Sequence, residues 1–209
     1  MGNRKALVIA VVFILVFVVA VAYIVYFWKP QQERSRFENY YLGIMKNLNA
    51  EENKTIVRNW FERDYTFTEL LEWVNHVLIF DKTYNDPERY WRTDPWVIKE
   101  IGRGQCGEFG ILYVSACLAH GYDSRLVVAV NVNNPNNLSD LHIWAEVNEN
   151  DDWIHVDPYP KKWNDPYMYE RGETGDWGDD IGSDVKIYAF EEGNCKEVTL
   201  NYLSQSPEG

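Results

Sequence analysis

The sequence predicts an α+β domain with an antiparallel β-sheet, preceded by one N-terminal transmembrane helix. Three observations favour this class: an uncharged apolar run covers residues 6–28, helical periodicity dominates the chain that follows, and strand-like alternation dominates its second half. Of the 209 residues, 46% are hydrophobic and 25% are charged, a composition typical of one globular domain.

The run from Ala6 to Trp28 is long enough for a membrane anchor. At about 1.5 Å per residue its helix reaches roughly 34 Å, enough to cross a bilayer. A signal peptide is the alternative, but its apolar core is shorter, and this run ends in Tyr26, Phe27 and Trp28, as an interfacial aromatic belt does. We expect residues 1–5 to be a short cytoplasmic tail and the domain that follows the span to be extracytoplasmic.

The chain beyond the anchor is strongly acidic. The whole sequence has a formal net charge of −12, and leaving out Arg4 and Lys5 makes it −14 for the part that follows the span. Phosphate backbones attract basic surfaces, so this balance disfavours a nucleic-acid partner.

Helical patterns fill the region between the anchor and the first sequence motif. Residues 29–64 are predicted to be a linker and helical stalk, with a helix over 33–49, and residues 65–209 the folded domain. A second helix is predicted from Thr68 to about Asp81. Residues 82–104 contain two Asp-Pro dipeptides and are predicted to be irregular.

Alternating apolar residues predict the strands of the sheet. Turns rich in Asn, Asp and Pro separate three strand candidates, and a Gly/Asp loop at 170–184 precedes a hairpin. The predicted strands are Ser124–Val132, Leu141–Val147, Trp153–Asp157, Val185–Phe190 and Lys196–Leu203.

Cys106 lies in the stretch GQCGEFG, where a helix is predicted to begin and run to His120, with Gly121 as its C-terminal cap. The positive end of a helix stabilises a thiolate, and its free N–H groups can bind an oxyanion, so Cys106 is a candidate nucleophile. The alternative is a small core residue, which suits Cys117 better. Three cysteines without paired spacing predict neither a disulfide framework nor a zinc knuckle.

A nucleophilic cysteine needs a base, and the base needs an orienting carboxylate. Strand alternation places His142 and Asp157 on matching faces of neighbouring strands. If the apolar faces of both strands pack on the core, each directly paired couple contains one odd-numbered and one even-numbered residue, so the two residue numbers add up to an odd value. A sum of 299 pairs Glu146 with Trp153 and sets His142 directly opposite Asp157; a slip by two residues leaves them diagonal neighbours. Together with Cys106 they form a predicted triad.

Two other site types are weaker alternatives. His155 shares the face of His142 and is either a substitute base or, with His142 and Asp157, a ligand of a two-histidine, one-carboxylate metal site. That metal site would leave Cys106 without a role. Carboxylates of the Gly/Asp loop suggest calcium, but their spacing is not that of an EF-hand: Asp176, Asp179, Asp180 and Asp184. We predict no metal and no cofactor.

The sequence resembles the transglutaminase-like superfamily, which includes animal transglutaminases, peptide N-glycanases and many microbial proteins. The resemblance covers roughly residues 65–160, with its motifs inside 100–160. Four blocks carry it: GQCGEFG at 104–110, AHGY followed by the strand SRLVV at 119–128, LHIWAEV at 141–147 and DWIHVDP at 152–158. The order Cys-Gly-Glu is closer to the peptide N-glycanases, because a tryptophan follows the cysteine in the animal enzymes.

The resemblance implies a transglutaminase-like, papain-like core in which Cys106 is the nucleophile, His142 the general base and acid, and Asp157 the orienting carboxylate. It also implies a thioester intermediate. The tryptophan that assists the oxyanion in the animal enzymes has no clear counterpart, although Trp91 and Trp96 lie upstream of the cysteine. The zinc-binding cysteine pairs of the glycanases are absent from this sequence.

We therefore expect a membrane-anchored thiol enzyme acting on amide bonds of proteins, peptides or cell-envelope material. Its reaction is amidase, protease or deamidase hydrolysis, or transglutaminase-type acyl transfer. Hydrolysis is favoured, because transfer requires a second site that shields the thioester and admits an amine. The alternative function is a catalytically silent transglutaminase-like binding module tethered to the membrane.

Overall fold

The computed structural model describes residues 2–81, 93–131, 141–158, 162–163, 185–199 and 202. The chain divides into two compact units, Met1–Asn39 and Tyr40–Gly209. The predicted boundary between stalk and domain, at residues 64 and 65, stays a prediction.

The N-terminal unit contains the apolar helix. Helix α1 (Gly2–Tyr23) continues through a π-helical segment (Ile24–Trp28) into α2 (Lys29–Asn49). Side chains around the described part of the apolar region are widely exposed, with Phe13 at 71% and Phe17 at 70%. Among the described residues, this one helix is long and apolar enough to cross a membrane; a signal sequence has the same length and composition.

The described residues of the second unit form four further helices: α3 (Glu51–Arg58), α4 (Phe67–Val77), α5 (Pro95–Ile101) and α6 (Cys106–Ala119). Helix α4 begins after Thr66, whose hydroxyl accepts from the backbone N–H of Glu69 while the Glu69 carboxylate accepts from the N–H of Thr66. It ends four residues before the predicted end, because the chain becomes extended at Leu78.

Helix α5 corrects the prediction that residues 82–104 are irregular. Asp94 is its N-cap residue and Pro95 occupies the first turn, so this Asp-Pro pair starts a helix instead of a turn. Gly102 ends it with a φ of 69°. Short strands β1 (Ile79–Phe80) and β2 (Arg103–Gly104) then pair in parallel. Residues 82–92, with Trp91 and the other Asp-Pro pair, lie outside the described residues.

The sheet is antiparallel and six-stranded, as expected for the α+β class. Its spatial order is β6-β5-β4-β3-β7-β8. The strands are β3 (Ser124–Asn131), β4 (Leu141–Glu149), β5 (Asp152–Asp157), β6 (Lys162–Trp163), β7 (Val185–Glu191) and β8 (Asn194–Glu197). The predicted C-terminal hairpin is present, but its second strand ends at Glu197.

Both faces of the sheet are buried. On the first, α6 packs against β3 and β4, and a Cβ atom on Gly110 would lie 3.2 Å from the Ile143 side chain and 3.5 Å from that of Leu126. The second face carries a core of its own, formed with the C-terminal segment: Val127, Ala129, Trp144, Val185, Ile187, Ala189, Val198 and Tyr202. The candidate residues His142 and Asp157 lie on this second face.

Candidate active site

Cys106 is the first residue of α6, as predicted, and its free thiol is partly exposed. The start of the helix is held by Glu108, a buried carboxylate that accepts a hydrogen bond of 2.8 Å from the backbone N–H of Gln105. Gly104 leaves room for this side chain, because a Cβ atom there would lie 2.5 Å from the Cβ of Glu108. The backbone around the thiol is therefore fixed by a local hydrogen bond and a close contact.

Two glycines bring the first turns of α6 close to β4. A Cβ atom on Gly107 would lie 3.4 Å from Cδ1 of Ile143, and one on Gly110 3.2 Å from Cγ2 of the same side chain. Both are at or below ordinary van der Waals separation, so larger residues would push the helix away. This close approach places the N-terminus of α6 beside β4, the strand that carries His142.

His142 and Asp157 are in contact inside the protein. Nε2 of His142 lies 2.6 Å from Oδ2 of Asp157, and these two side chains are 6% and 0% exposed. Cys106 is close enough to His142 to raise the pKa of the same imidazole. Because Nε2 is engaged by the carboxylate, Nδ1 is the nitrogen that remains for the thiol. The structure thus brings the three residues of the predicted triad together.

The strand register differs from the predicted one. Glu146 pairs with His155 and Glu149 with Asp152, so the paired numbers sum to 301 and not to 299. The odd sum was right and the predicted pairing was wrong by two residues. Asn150 and Asp151 both have positive φ, 57° and 72°, which makes a two-residue hairpin turn in place of the longer loop assumed from the sequence.

This register makes His142 and Asp157 diagonal neighbours. Diagonal pairs on one face are about 7–8 Å apart at Cα, within reach of an imidazole and a carboxylate that lean towards each other. The 2.6 Å contact therefore survives the shift.

The charge state of His142 is set by opposing effects. Burial lowers its affinity for a proton, but the Asp157 charge and hydrogen bond, together with the interaction with Cys106, outweigh burial and raise the pKa of His142 from 6.5 to about 10. This pKa favours the imidazolium form of His142 at neutral pH.

The other cysteines and histidines of the site region differ from Cys106 and His142. Burial raises the pKa of Cys117 to about 12, which keeps it a thiol. Burial, together with the His142 charge, lowers the pKa of His155 to about 3, so His155 stays neutral and is a poor substitute base. Cys195 is partly exposed in β8.

The metal alternatives find no support in the described residues. In the part of the chain that the structure describes, no group of three or more His, Cys, Asp or Glu is arranged to hold a metal ion. The acidic loop with Asp176, Asp179, Asp180 and Asp184 lies outside that part. The prediction that the protein needs no metal or cofactor stays a prediction.

Sequence reasoning missed a buried polar network on the same face. Arg125 Nε lies 2.6 Å from a Glu146 carboxylate oxygen, and the two residues pair directly across β3 and β4. The Tyr202 hydroxyl donates to the other Glu146 oxygen and accepts a 2.9 Å hydrogen bond from Nε1 of Trp144. Opposite charges on two polar strand faces were a usable signal for Arg125 and Glu146, whereas nothing local marked Tyr202.

Comparisons with known proteins identify the family of the chain. A family model described as the transglutaminase-like superfamily matches residues 54–158. The chain is 31% identical over 114 residues to the peptide-N(4)-(N-acetyl-beta-glucosaminyl)asparagine amidase of Arabidopsis thaliana, covering 54% of this chain and 14% of that protein. It is 28% identical over 127 residues to the Gallus gallus protein of the same name, covering 60% of this chain and 16% of that one.

A solved structure shows a similar fold. A chain from a study of DNA duplex opening by the Rad4/XPC nucleotide excision repair complex superposes with a TM-score of 0.50 at 12% identity, covering 82% of this chain and 50% of the other. At this identity the likeness concerns the fold only.

Proposed function

The chain belongs to the transglutaminase-like superfamily, and on that basis we propose that it is a thiol enzyme acting on amide bonds through Cys106, His142 and Asp157. The observation that carries the proposal is the buried 2.6 Å contact of His142 with Asp157, with Cys106 on the same imidazole. A nucleophile, a base and an orienting group in hydrogen-bond reach of one another are what covalent catalysis by a thiol requires.

The first half of the reaction forms a thioester. The Cys106 thiolate attacks the carboxamide carbon, a C–S bond forms, and the carbonyl oxygen becomes an oxyanion beside the helix N-terminus. His142 then gives its proton to the amide nitrogen, the C–N bond breaks, and ammonia or an amine leaves.

The second half releases the acyl group. His142, now neutral, takes a proton from water, the hydroxide attacks the thioester, and the C–S bond breaks to give a carboxylic acid and the Cys106 thiolate. If an amine replaces water, the product is a new amide and the enzyme is a transferase. We propose hydrolysis, because water needs no second binding site.

Asp157 acts through His142 in this scheme. Its carboxylate holds Nε2, which leaves Nδ1 directed at the sulfur and stabilises the imidazolium. Its full burial keeps water from competing for the imidazole.

The substrate class follows from the relatives. Two of them are named as amidases acting on a glycosylated asparagine, and the reacting bond in such a substrate is a side-chain carboxamide. The chain covers a small share of their length, so the proposal is limited to amides of a protein, a peptide or cell-envelope material. We propose no nucleic-acid partner and no cofactor.

Residues 6–28 are proposed to anchor the enzyme in a membrane, with the catalytic domain extracytoplasmic. The exposed apolar side chains from Val12 onward support an environment of lipid. Resistance of the full chain to alkaline extraction from membranes, and its accessibility to protease from one side only, would test the anchor and its orientation.

The experiment that tests the enzyme proposal uses the full chain in detergent micelles. Cys106 is alkylated with iodoacetamide at a series of pH values and located by mass spectrometry, in wild type, His142→Ala and the exposed-histidine control His76→Ala. The proposal expects wild type and the control to react well below the pKa of an ordinary thiol, about 8.5, and His142→Ala to lose this reactivity.

Turnover is measured in parallel on asparagine- and glutamine-containing peptides, by ammonia release and by the mass change of deamidation. Cys106→Ala should abolish it. An inert Cys106 in wild type, while the partly exposed Cys195 is labelled, would support the catalytically silent binding module instead.

A further inference from the structure

The buried network beside the candidate base includes a residue from far along the chain. We call Arg125, Trp144, Glu146 and Tyr202 the Tyr202 network. Tyr202 is 5% exposed, and its hydroxyl joins Glu146 to the indole N–H of Trp144. Arg125 neutralises the carboxylate from the neighbouring strand. Each of these polar groups is buried and has a partner within the network, which favours one arrangement of the side chains.

The Tyr202 network contacts the His142 imidazole through Trp144. The rings of Trp144 and His142 are stacked, with centroids 5.8 Å apart and an interplanar angle of 24°. Trp144 is completely buried, and its only polar atom, Nε1, is used in the hydrogen bond to Tyr202. That bond, together with packing against the rings of Tyr202 and His155, fixes the rotation of the indole, and the indole lies against the His142 ring.

We propose that Tyr202 is a positioning residue for His142: its hydroxyl holds Trp144 in the stacked orientation that keeps the imidazole between Asp157 and Cys106. The inference rests on the proposed function for its catalytic meaning. Residue 202 lies outside the segment 54–158 that the family model matches, so this part of the site comes from the C-terminal segment of this chain.

Removing the hydroxyl alone has a definite structural consequence. Tyr202→Phe keeps the aromatic packing but leaves the Trp144 N–H and one Glu146 oxygen without their present partner. Leaving a buried polar group without a partner is unfavourable, which drives a small reorientation of the side chains. The indole then loses the bond that fixes its tilt, and the imidazole that stacks on it loses the support of that ring, while Asp157 still contacts Nε2.

The groups that set the charge of His142 are untouched by this change. They are Asp157 on β5 and Cys106 on α6, which act against the effect of burial. A shift in the pH profile of Tyr202→Phe would therefore report a change in the position of the ring.

Tyr113→Phe is the matched control. Tyr113 is completely buried on α6, and its hydroxyl donates a hydrogen bond of 3.1 Å to the backbone oxygen of Phe67, which is outside the Tyr202 network. Both variants lose a buried hydroxyl, so a loss of stability alone affects them similarly.

The test uses the full chain in detergent micelles and two readouts. The first is the rate of Cys106 alkylation by iodoacetamide against pH, and the second is the NMR signals of the His142 ring with its proton contacts to Trp144. We expect Tyr202→Phe to slow the reaction at neutral pH by about tenfold, because misplacement of a catalytic group by an ångström has effects of this size or larger. The contacts between the two rings should weaken. Tyr113→Phe should change the rate by less than about twofold and leave the contacts intact.

The NMR readout keeps this inference separate from the proposed function. If wild-type Cys106 is inert but Tyr202→Phe still disturbs the His142 ring, the positioning role stands and the enzyme proposal fails. If Tyr202→Phe matches Tyr113→Phe in both readouts, the positioning role is overturned. Should Tyr202→Phe not fold, Trp144→Phe removes the same hydrogen bond from the other side while keeping a ring against His142, and the same comparison applies.

Discussion

Replacing Gly104 by alanine should disturb the start of α6 without touching any proposed catalytic residue. The new Cβ atom would lie 2.5 Å from Cβ, 2.8 Å from Cγ and 3.0 Å from Oε2 of Glu108. The closest of these atoms is at the root of the side chain, so a rotamer change cannot relieve the clash and the backbone must shift. The Glu108 carboxylate would also be pushed from its 2.8 Å hydrogen bond with the Gln105 N–H.

The expected loss of stability follows from these two effects. Forced overpacking costs about 1–3 kcal/mol, and the loss of a capping interaction costs about 1 kcal/mol. We therefore expect a loss of about 2–4 kcal/mol. For a domain of this size each kcal/mol lowers Tm by roughly 2–4 °C. Alkylation of Cys106 should also slow, because the residue begins the turn that moves.

The assay is thermal unfolding of the full chain in detergent, followed by circular dichroism. Gly43→Ala is the control, because a Cβ atom at that position in α2 would meet nothing within 4 Å. Alanine is the better helix former, so this variant should match or exceed wild type by up to about 1 kcal/mol. If Gly104→Ala is as stable as Gly43→Ala, the close packing described at the N-terminus of α6 is wrong.

Three other predictions concern the buried charges of the site. Asp157→Asn should reduce turnover by on the order of 10³- to 10⁴-fold while the protein stays folded, and a wild-type rate would remove Asp157 from the mechanism. The pKa of His142 is raised on folding, so the contribution of His142 to stability is complete below its unfolded pKa of about 6.5 and is lost as the pH rises towards about 10. The midpoint of thermal unfolding should therefore fall between these pH values in wild type, and it should fall less in His142→Ala. Glu146→Gln leaves the buried Arg125 with Glu191 as its remaining carboxylate partner. The free energy of unfolding, measured with denaturant, should fall by about 3 kcal/mol. A loss below about 1 kcal/mol would mean that the ion pair of Arg125 with Glu146 contributes little to stability.

Local patterns predicted much of the architecture. The start of α6 at Cys106 follows from an apolar helical stripe placed after a glycine-rich stretch, and β3 to β5 follow from alternation bounded by turn residues. These signals depend on contacts between residues close in sequence, so they can be found without the fold. The odd pairing parity of β4 and β5 belongs here too, because it only requires that two apolar faces share one side of the sheet.

The turn geometry was the first feature that sequence patterns left undecided. The rule that paired residue numbers add up to an odd value allows several registers of β4 and β5, which differ by two residues. The turn with positive φ at Asn150 and Asp151 selects one of these registers. Helix α5 was missed for a related reason, since Asp-Pro opens either a turn or a helix and the flanking packing decides which.

The sequence by itself determined the family, the predicted nucleophile, base and carboxylate, and the apolar N-terminal segment, because each is carried by residue types at short spacing. The tertiary structure decided how these groups meet. Two glycines of α6 set the distance to Ile143 on β4, and Tyr202 joins the core on the second face of the sheet, where it contacts Trp144. Such long-range contacts leave no periodic trace in the sequence, because they form only when distant segments are packed in three dimensions.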